Sequence, residues 1–132
     1  MKKILLSLLT TLAFWAPAET IRIEPARREC VIVLPAEADF CLTYAAKELS
    51  YHLEKMTGVK VETITEPAPM PAGAFVFSLG ETAVASAAGL TSAGLAYNHA
   101  RLYGDQNQLL LVGNDSGKRI ADLLVQSCGT LF

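Results

Sequence analysis

VIVLPAEADFCLTYAAKELSYHLEKMTG, from Val31 to Gly58, decides the fold, because it encodes an apolar strand, a sharp loop and a capped amphipathic helix in succession. Leu42, Ala45, Ala46, Leu49, Leu53 and Met56 recur at helical spacing and make one apolar stripe. Lys47, Glu48, Ser50, Glu54 and Lys55 lie on or toward the opposite side, so one face packs and the other is wet. Asp39 or Thr43 can accept hydrogen bonds from the first free amides of that helix. Gly58 follows the last periodic residue, where a left-handed closing conformation favours glycine.

Outward from this unit the chain has the organisation of one exported domain. Lys2 and Lys3, the apolar run Ile4 to Trp15 and the small-residue site Ala16-Pro17-Ala18 form a three-part secretory leader, residues 1 to 18. The apolar run is shorter than the roughly 20 residues of a membrane span, so no membrane attachment is expected after cleavage and the destination is secreted or periplasmic. The remainder of the 132-residue chain suffices for one core and not for two. Lys2 and Lys3 leave with the leader, so the 13 Asp and Glu outweigh the remaining Lys and Arg. Nucleic acid is excluded as a partner, since phosphate neutralisation needs a basic patch and only the pairs Arg27-Arg28 and Lys118-Arg119 occur. Both pairs read as solvated loop charges.

Three cysteines, Cys30, Cys41 and Cys128, cannot all pair within one molecule. Cys30 opens the strand and Cys41 the helix after it, too far apart for a bridge, and the expectation is three buried, unpaired thiols acting as small apolar residues. His52 and His99 stand alone and no metal-ligand spacing is present, so no metal or other cofactor is expected.

Thr20 to Glu24 alternates and predicts a half-exposed strand, whereas Cys30 to Leu34 is continuously apolar and predicts a central strand covered on both faces. Further strands are expected at Val59 to Thr65 and Ala74 to Leu79, separated by a segment whose three prolines, Pro67, Pro69 and Pro71, exclude regular structure. A short alanine-rich helix follows at Ala83 to Ala88, then a hairpin of Leu95 to Tyr103 with Gln108 to Val112 about Gly104-Asp105-Gln106-Asn107. Ile120, Leu123, Leu124 and Cys128 are spaced for a last helix. Strands, one dominant helix and an antiparallel hairpin together indicate an α+β fold, a mixed β-sheet backed by helices.

Candidate chemistry is sparse. Glu37 and Asp39 sit in the loop after a central strand, but no third polar group accompanies them, which favours capping and solvation over acid/base work. Glu48 and Glu54 are six helix positions apart and point in different directions. Gly113-Asn114-Asp115-Ser116-Gly117-Lys118 imitates a phosphate loop, yet its glycines are too close and Arg119 stands where Ser or Thr should hold magnesium. No catalytic residue is assigned. Tyr97, His99, Arg101 and Tyr103 share the parity of one strand and could form a polar-aromatic face that touches a glycan; cross-strand packing explains the tyrosines equally well.

The ordered phrases IVLPAEAD, TYAAKELSYHLEKMTGVKV, FVFSLGET, LLLVGND and GTLF resemble the N-terminal accessory domain that precedes the catalytic barrel in bacterial beta-N-acetylhexosaminidases and alpha-glucuronidases. Tyr44 to Leu49, Leu53-Glu54-Lys55, Thr57-Gly58 and Leu79-Gly80-Glu81-Thr82 carry the resemblance most specifically. It implies a zincin-like sheet of the hexosaminidase domain-2 type, with glycosidase activity located in the following barrel. It also implies that Gly129-Thr130-Leu131-Phe132 opens a long helix toward that barrel, so the domain, residues 19 to 132, is expected to be incomplete at this helix. The expected function is therefore that of a non-catalytic domain that packs against and orients a glycosidase barrel, its partner. A free-standing glycan-binding module is the alternative and a hydrolase in its own right the third choice. Exposure of the sheet where the helix is missing would favour self-association.

Overall fold

The computed structural model of the protein describes residues 20–96, 99–115 and 130. The leader, Tyr97, Cys128 and the helix expected from Ile120 lie outside the described residues. Five strands form one mixed sheet: β1 (Cys30–Leu34), β2 (Glu62–Thr65), β3 (Phe75–Leu79), β4 (Ala100–Gly104) and β5 (Gln108–Gly113). Their spatial order is β2-β1-β3-β5-β4, with β4 antiparallel to β5 and every other pairing parallel. Helices α1 (Phe40–Thr57) and α2 (Ala83–Ala87) complete the α+β architecture that the element pattern predicts.

β1 is central and buried along its whole length, as its unbroken apolar run requires. Cys30, Ile32 and Leu34 join Phe75, Phe77 and Leu79 under α1, whereas Val31 and Val33 turn to the other face with Ala74 and Val76. α1 packs through Leu42, Ala45 and Ala46, with Leu49 and Leu53 half-buried against the same cluster. Asp39 caps it, its Oδ1 accepting from the Leu42 amide at 2.9 Å. Thr43 takes a different part from the one expected: its hydroxyl donates to the Asp39 carbonyl at 2.7 Å. Gly58 ends the helix in a left-handed conformation, φ 72°, and its amide bonds back to the Glu54 carbonyl. Ser50, on the flank of the polar side, ties the helix to the chain before β2 by donating to the Val61 carbonyl at 2.8 Å.

Gly80, buried at the end of β3, is closely approached by α1. Its φ is 80°, which glycine adopts without strain, and a Cβ there would stand 2.7 Å from Leu42 Cδ1, so any other residue is strained and displaces the Leu42 side chain at the end of β3. The Gly80 amide in turn donates to the Leu111 carbonyl at 2.8 Å, which extends the β3–β5 ladder past Leu79. On the face opposite α1, the Ser78 and Thr82 hydroxyls lie 2.5 Å apart, fully buried, and Thr82 caps α2 by accepting from the Ala85 amide.

Four expectations are corrected. Residues 20–24 form no strand; Ile21 and Ile23 instead pack against the α1-side core, so their alternation records one buried side rather than sheet pairing. Met56 belongs by spacing to the packed stripe but is 80% exposed, the stripe's contact with the core among the described residues reaching Leu53. Arg28 is not a solvated loop charge. Its guanidinium donates to the carbonyls of Gly73 at 2.7 Å, Gln106 at 2.8 Å and Ala74 at 3.2 Å and to Asn107 Oδ1 at 3.1 Å. It also lies over the Phe75 ring, 5.8 Å from its centroid, and so fastens together the beginnings of β1, β3 and β5.

The cysteines are the fourth correction, since Cys41 is disulfide-bonded and not a free thiol. Cys30 is free and buried, its thiol directed at the Arg28 carbonyl at 3.4 Å. Burial pushes that thiol above its ordinary pKa, and the Arg28 charge only partly offsets the shift.

Two outcomes follow from this packing. Gly80→Ala should lower stability by about 3 kcal/mol in urea unfolding, combining left-handed strain with displacement of Leu42. Alkylation in denaturant without reductant, read by peptide mass, should label Cys30 and leave Cys41 unlabelled; a labelled Cys41 would show that the bridge is absent.

Candidate functional site

Parallel strands gather functional groups at their carboxyl ends, and most readily where neighbouring strands send their connections to opposite faces. Here β1 leads into α1 on one face, while β3 leads to Thr82 and α2 on the other, so the rim between them is the place to look for chemistry. Five carboxylates belong to this rim: Glu37 and Asp39 after β1, Glu66 after β2, Glu81 after β3 and Asp115 after β5.

Four of the five hold backbone. Asp39 caps α1. The Glu66 carboxylate accepts from the Ala83 amide with both oxygens, at 2.9 and 3.0 Å, so α2 begins on a second cap supplied from across the sheet. Asp115 accepts from the Thr130 amide at 2.9 Å and from its hydroxyl, and that hydroxyl accepts from the Gly113 amide at 2.9 Å. Thr130, within the terminal GTLF phrase, is thereby buried against the end of β5. Glu37 is exposed on the loop.

Glu81 is the most constrained of the set. One oxygen, Oε1, accepts from the Ser92 amide at 2.6 Å, the Thr91 hydroxyl at 2.8 Å and the Ser92 hydroxyl at 2.9 Å. The Ser92 amide and then the two hydroxyls hold its carboxyl below the usual carboxylate range, against a small opposing effect of burial. An acid kept ionised in this way is a poor proton donor at neutral pH, and its geometry is that of a clasp on the loop after α2. From the sequence, Glu81 has no role beyond its place in the phrase Leu79-Gly80-Glu81-Thr82. Its partners lie ten residues on in irregular chain, and no local periodicity records such a contact.

The strand-face group expected from parity is placed as follows. His99 precedes β4, and Arg101 and Tyr103 lie on it, opposite Val112 and Leu110 of β5. This is the face away from α1, since the alternate residue Leu102 opposes Leu111 of the α1-side core. All three side chains are exposed, and Tyr97 lies outside the described residues. Arg101 is engaged through Nη1 with the Thr91 carbonyl, the loop that Glu81 clasps from the other side. The Tyr103 hydroxyl donates to Asp105 Oδ2 at 3.2 Å. Asp105 organises the hairpin turn, its Oδ1 accepting from the amides of Asn107 at 2.7 Å and Gln108 at 3.0 Å. The structure therefore brings Arg101 and Tyr103 to one surface while binding Arg101 to the loop after α2 and Tyr103 to the hairpin turn.

Of the phosphate-loop imitation, Asn114 donates to the Leu95 carbonyl and Asp115 holds Thr130; residues 116–118 lie outside the described residues. Among the described residues no three His, Cys, Asp or Glu side chains gather as a metal site, and no helix is long and apolar enough to cross a membrane.

A different surface was missed by the sequence reading. Phe40, Tyr44 and Tyr51 follow one another along the outer side of α1, each between 42% and 53% exposed. The Phe40 and Tyr44 rings stack with centroids 6.0 Å apart, and Lys55 lies over Tyr51 at 5.4 Å. Their spacing of four and seven is as helical as that of the packed stripe. Attention to the buried side alone hides it.

Comparison with protein-family models, curated proteins and solved structures finds no match for this chain.

The lowered pKa of Glu81 gives a signed pH dependence. A carboxyl depressed in the folded state contributes stability above its unfolded pKa and loses it as pH falls through the folded value. Glu81→Gln should therefore be less stable than the parent at pH 7, with the difference shrinking as the pH is taken below about 4, as measured by urea unfolding across pH.

Proposed function

We propose that this chain is a non-catalytic accessory domain of a secreted carbohydrate-active protein, and that it packs against and orients a glycoside-hydrolase barrel. The observation that carries the reading is the outer side of α1, where Phe40, Tyr44 and Tyr51 present aromatic surface that the domain's own core does not use. Aromatic side chains with a polar tip are favoured at protein contacts, and Lys47 and Lys55 bordering the stripe supply a charged margin. The rim carboxylates favour the same reading. Asp39, Glu66, Glu81 and Asp115 are committed to amides and hydroxyls of the domain itself, as in a scaffold.

The ordered resemblance to accessory domains of hexosaminidases and alpha-glucuronidases supplies the partner class, including the zincin-like variety of the sheet. Export is supported by the three-part leader and by the disulfide of Cys41, a bond that persists in oxidising compartments. The rival reading, a free-standing glycan-binding module, draws on the exposed His99, Arg101 and Tyr103 at the sheet edge.

Three measurements on the purified chain separate these readings. Aryl glycosides should not be turned over; turnover abolished by replacing Glu37 or Asp39 would establish a hydrolase instead. Oligosaccharides titrated to the millimolar range should leave the signals of Arg101 and Tyr103 unmoved, whereas saturable shifts would establish the glycan module. Replacing Tyr44 and Tyr51 together with Ser should cost less than about 1 kcal/mol of stability, because residues kept for a partner contribute little to the isolated fold.

A further inference from the structure

The second surface the domain leaves open is an edge. β4 is the outermost strand of the sheet among the described residues, and all five of its residues are exposed. The Asn114 amide donates to the His99 carbonyl at 3.0 Å, and the Asp105 amide to the Gln108 carbonyl at 2.9 Å. In an antiparallel ladder alternate residues turn both backbone groups the same way. His99, Arg101, Tyr103 and Asp105 therefore bond inward to β5, and Ala100, Leu102 and Gly104 direct their amides and carbonyls outward. Natural edges are blunted by proline, bulges or charge pointing along the free side. β4 has neither proline nor bulge, and at its centre Leu102 is 69% exposed on the α1 side of the sheet.

We propose that β4 pairs antiparallel with β4 of a second copy of this chain, about a two-fold axis through Leu102, to make one continuous sheet across both molecules. The occupant is fixed by self-complementarity. In this register Leu102 meets Leu102 of the second copy and Ala100 meets Gly104, so all three outward residues exchange backbone hydrogen bonds. On the other face Arg101 meets Tyr103, and His99 meets the carboxylate-bearing Asp105, an arrangement with no like charges opposed. Moving the axis to Arg101 would set two guanidinium groups against each other. Moving it to Tyr103 would carry Ala100 beyond the end of the partner strand. Leu102, the most exposed leucine on the sheet, meets another large apolar side chain only in the first arrangement, since the other two set it against Ala100 or Gly104.

One strand per copy is a small interface, so association should be reversible and visible only at high protein concentration. Sedimentation equilibrium from about 10 μM to about 1 mM should show a monomer–dimer equilibrium. Leu102→Lys, which sets two ammonium groups across the axis, should weaken it at least tenfold, while Met56→Lys on the exposed end of α1 should leave it unchanged. Amide exchange on the unaltered protein supplies a readout independent of any variant: the Leu102 and Gly104 amides should slow as concentration rises, and the Arg101 amide should not. A monomer throughout the range, a dimer indifferent to Leu102→Lys, or concentration-independent exchange at Leu102 would each overturn the proposal.

Discussion

The contact between Leu42 and Gly80 is the constraint on which the arrangement of this domain depends. A side chain from the first turn of α1 occupies the space that any Cβ after β3 would need. Glycine takes the left-handed conformation here without strain and leaves that space to the Leu42 side chain. The same residue extends the ladder to Leu111 and turns the chain toward Thr82, whose hydroxyl starts α2 on the other face. Both helices, both faces and the β3–β5 pairing thus converge on one position. The rim around it is held by carboxylates that reach amides on neighbouring segments: Asp39 for α1, Glu66 for α2, Glu81 for the loop beyond α2, and Asp115 for Thr130. At this rim, where α/β sheets commonly bind substrate, four of the five acidic groups hold the polypeptide.

What the sequence made legible was local. β1 follows from five consecutive apolar residues, α1 from its spacing, its Asp39 cap and Gly58, and the hairpin turn from Gly104 to Asn107. Each of these signals has its cause within a few residues. The misreadings share the opposite character. Arg28 finds its acceptors 45 to 79 residues away, and such pairings leave no periodic trace. Ile21 and Ile23 alternate because one side is buried, and alternation is blind to whether the burying surface is a strand partner or a core. Met56 had the right spacing on a helix whose contact with the core, among the described residues, reaches Leu53. The cysteine reading rightly kept Cys30 and Cys41 apart, but composition cannot register that Cys41 is bridged.

The candidate site was legible to a similar degree. Parity placed Arg101 and Tyr103 on one face correctly, since a strand alternates strictly, yet it could not foresee that Arg101 reaches the Thr91 carbonyl and Tyr103 the turn aspartate. The aromatic stripe of α1 was present in the same residues that defined the helix, on the side that the search for a core ignores. Two exposed surfaces result among the described residues, a ridge of aromatic rings on one helix and the outermost strand of the sheet. They use different physics, side-chain burial in one case and backbone pairing in the other.

The Arg28 clasp has a consequence for how the chain assembles. Its acceptors lie in the segments leading into β3 and β5, far along the chain, so the guanidinium can bind them only after the parallel strands have come into register. The closure entropy of such long loops must already have been met by hydrophobic contact between β1, β3 and α1. A group that joins last contributes little to the rate of folding and much to the slowness of unfolding. Arg28 is therefore a latch: it is closed by a sheet that has formed without it, and it delays the separation of strands that it did not bring together.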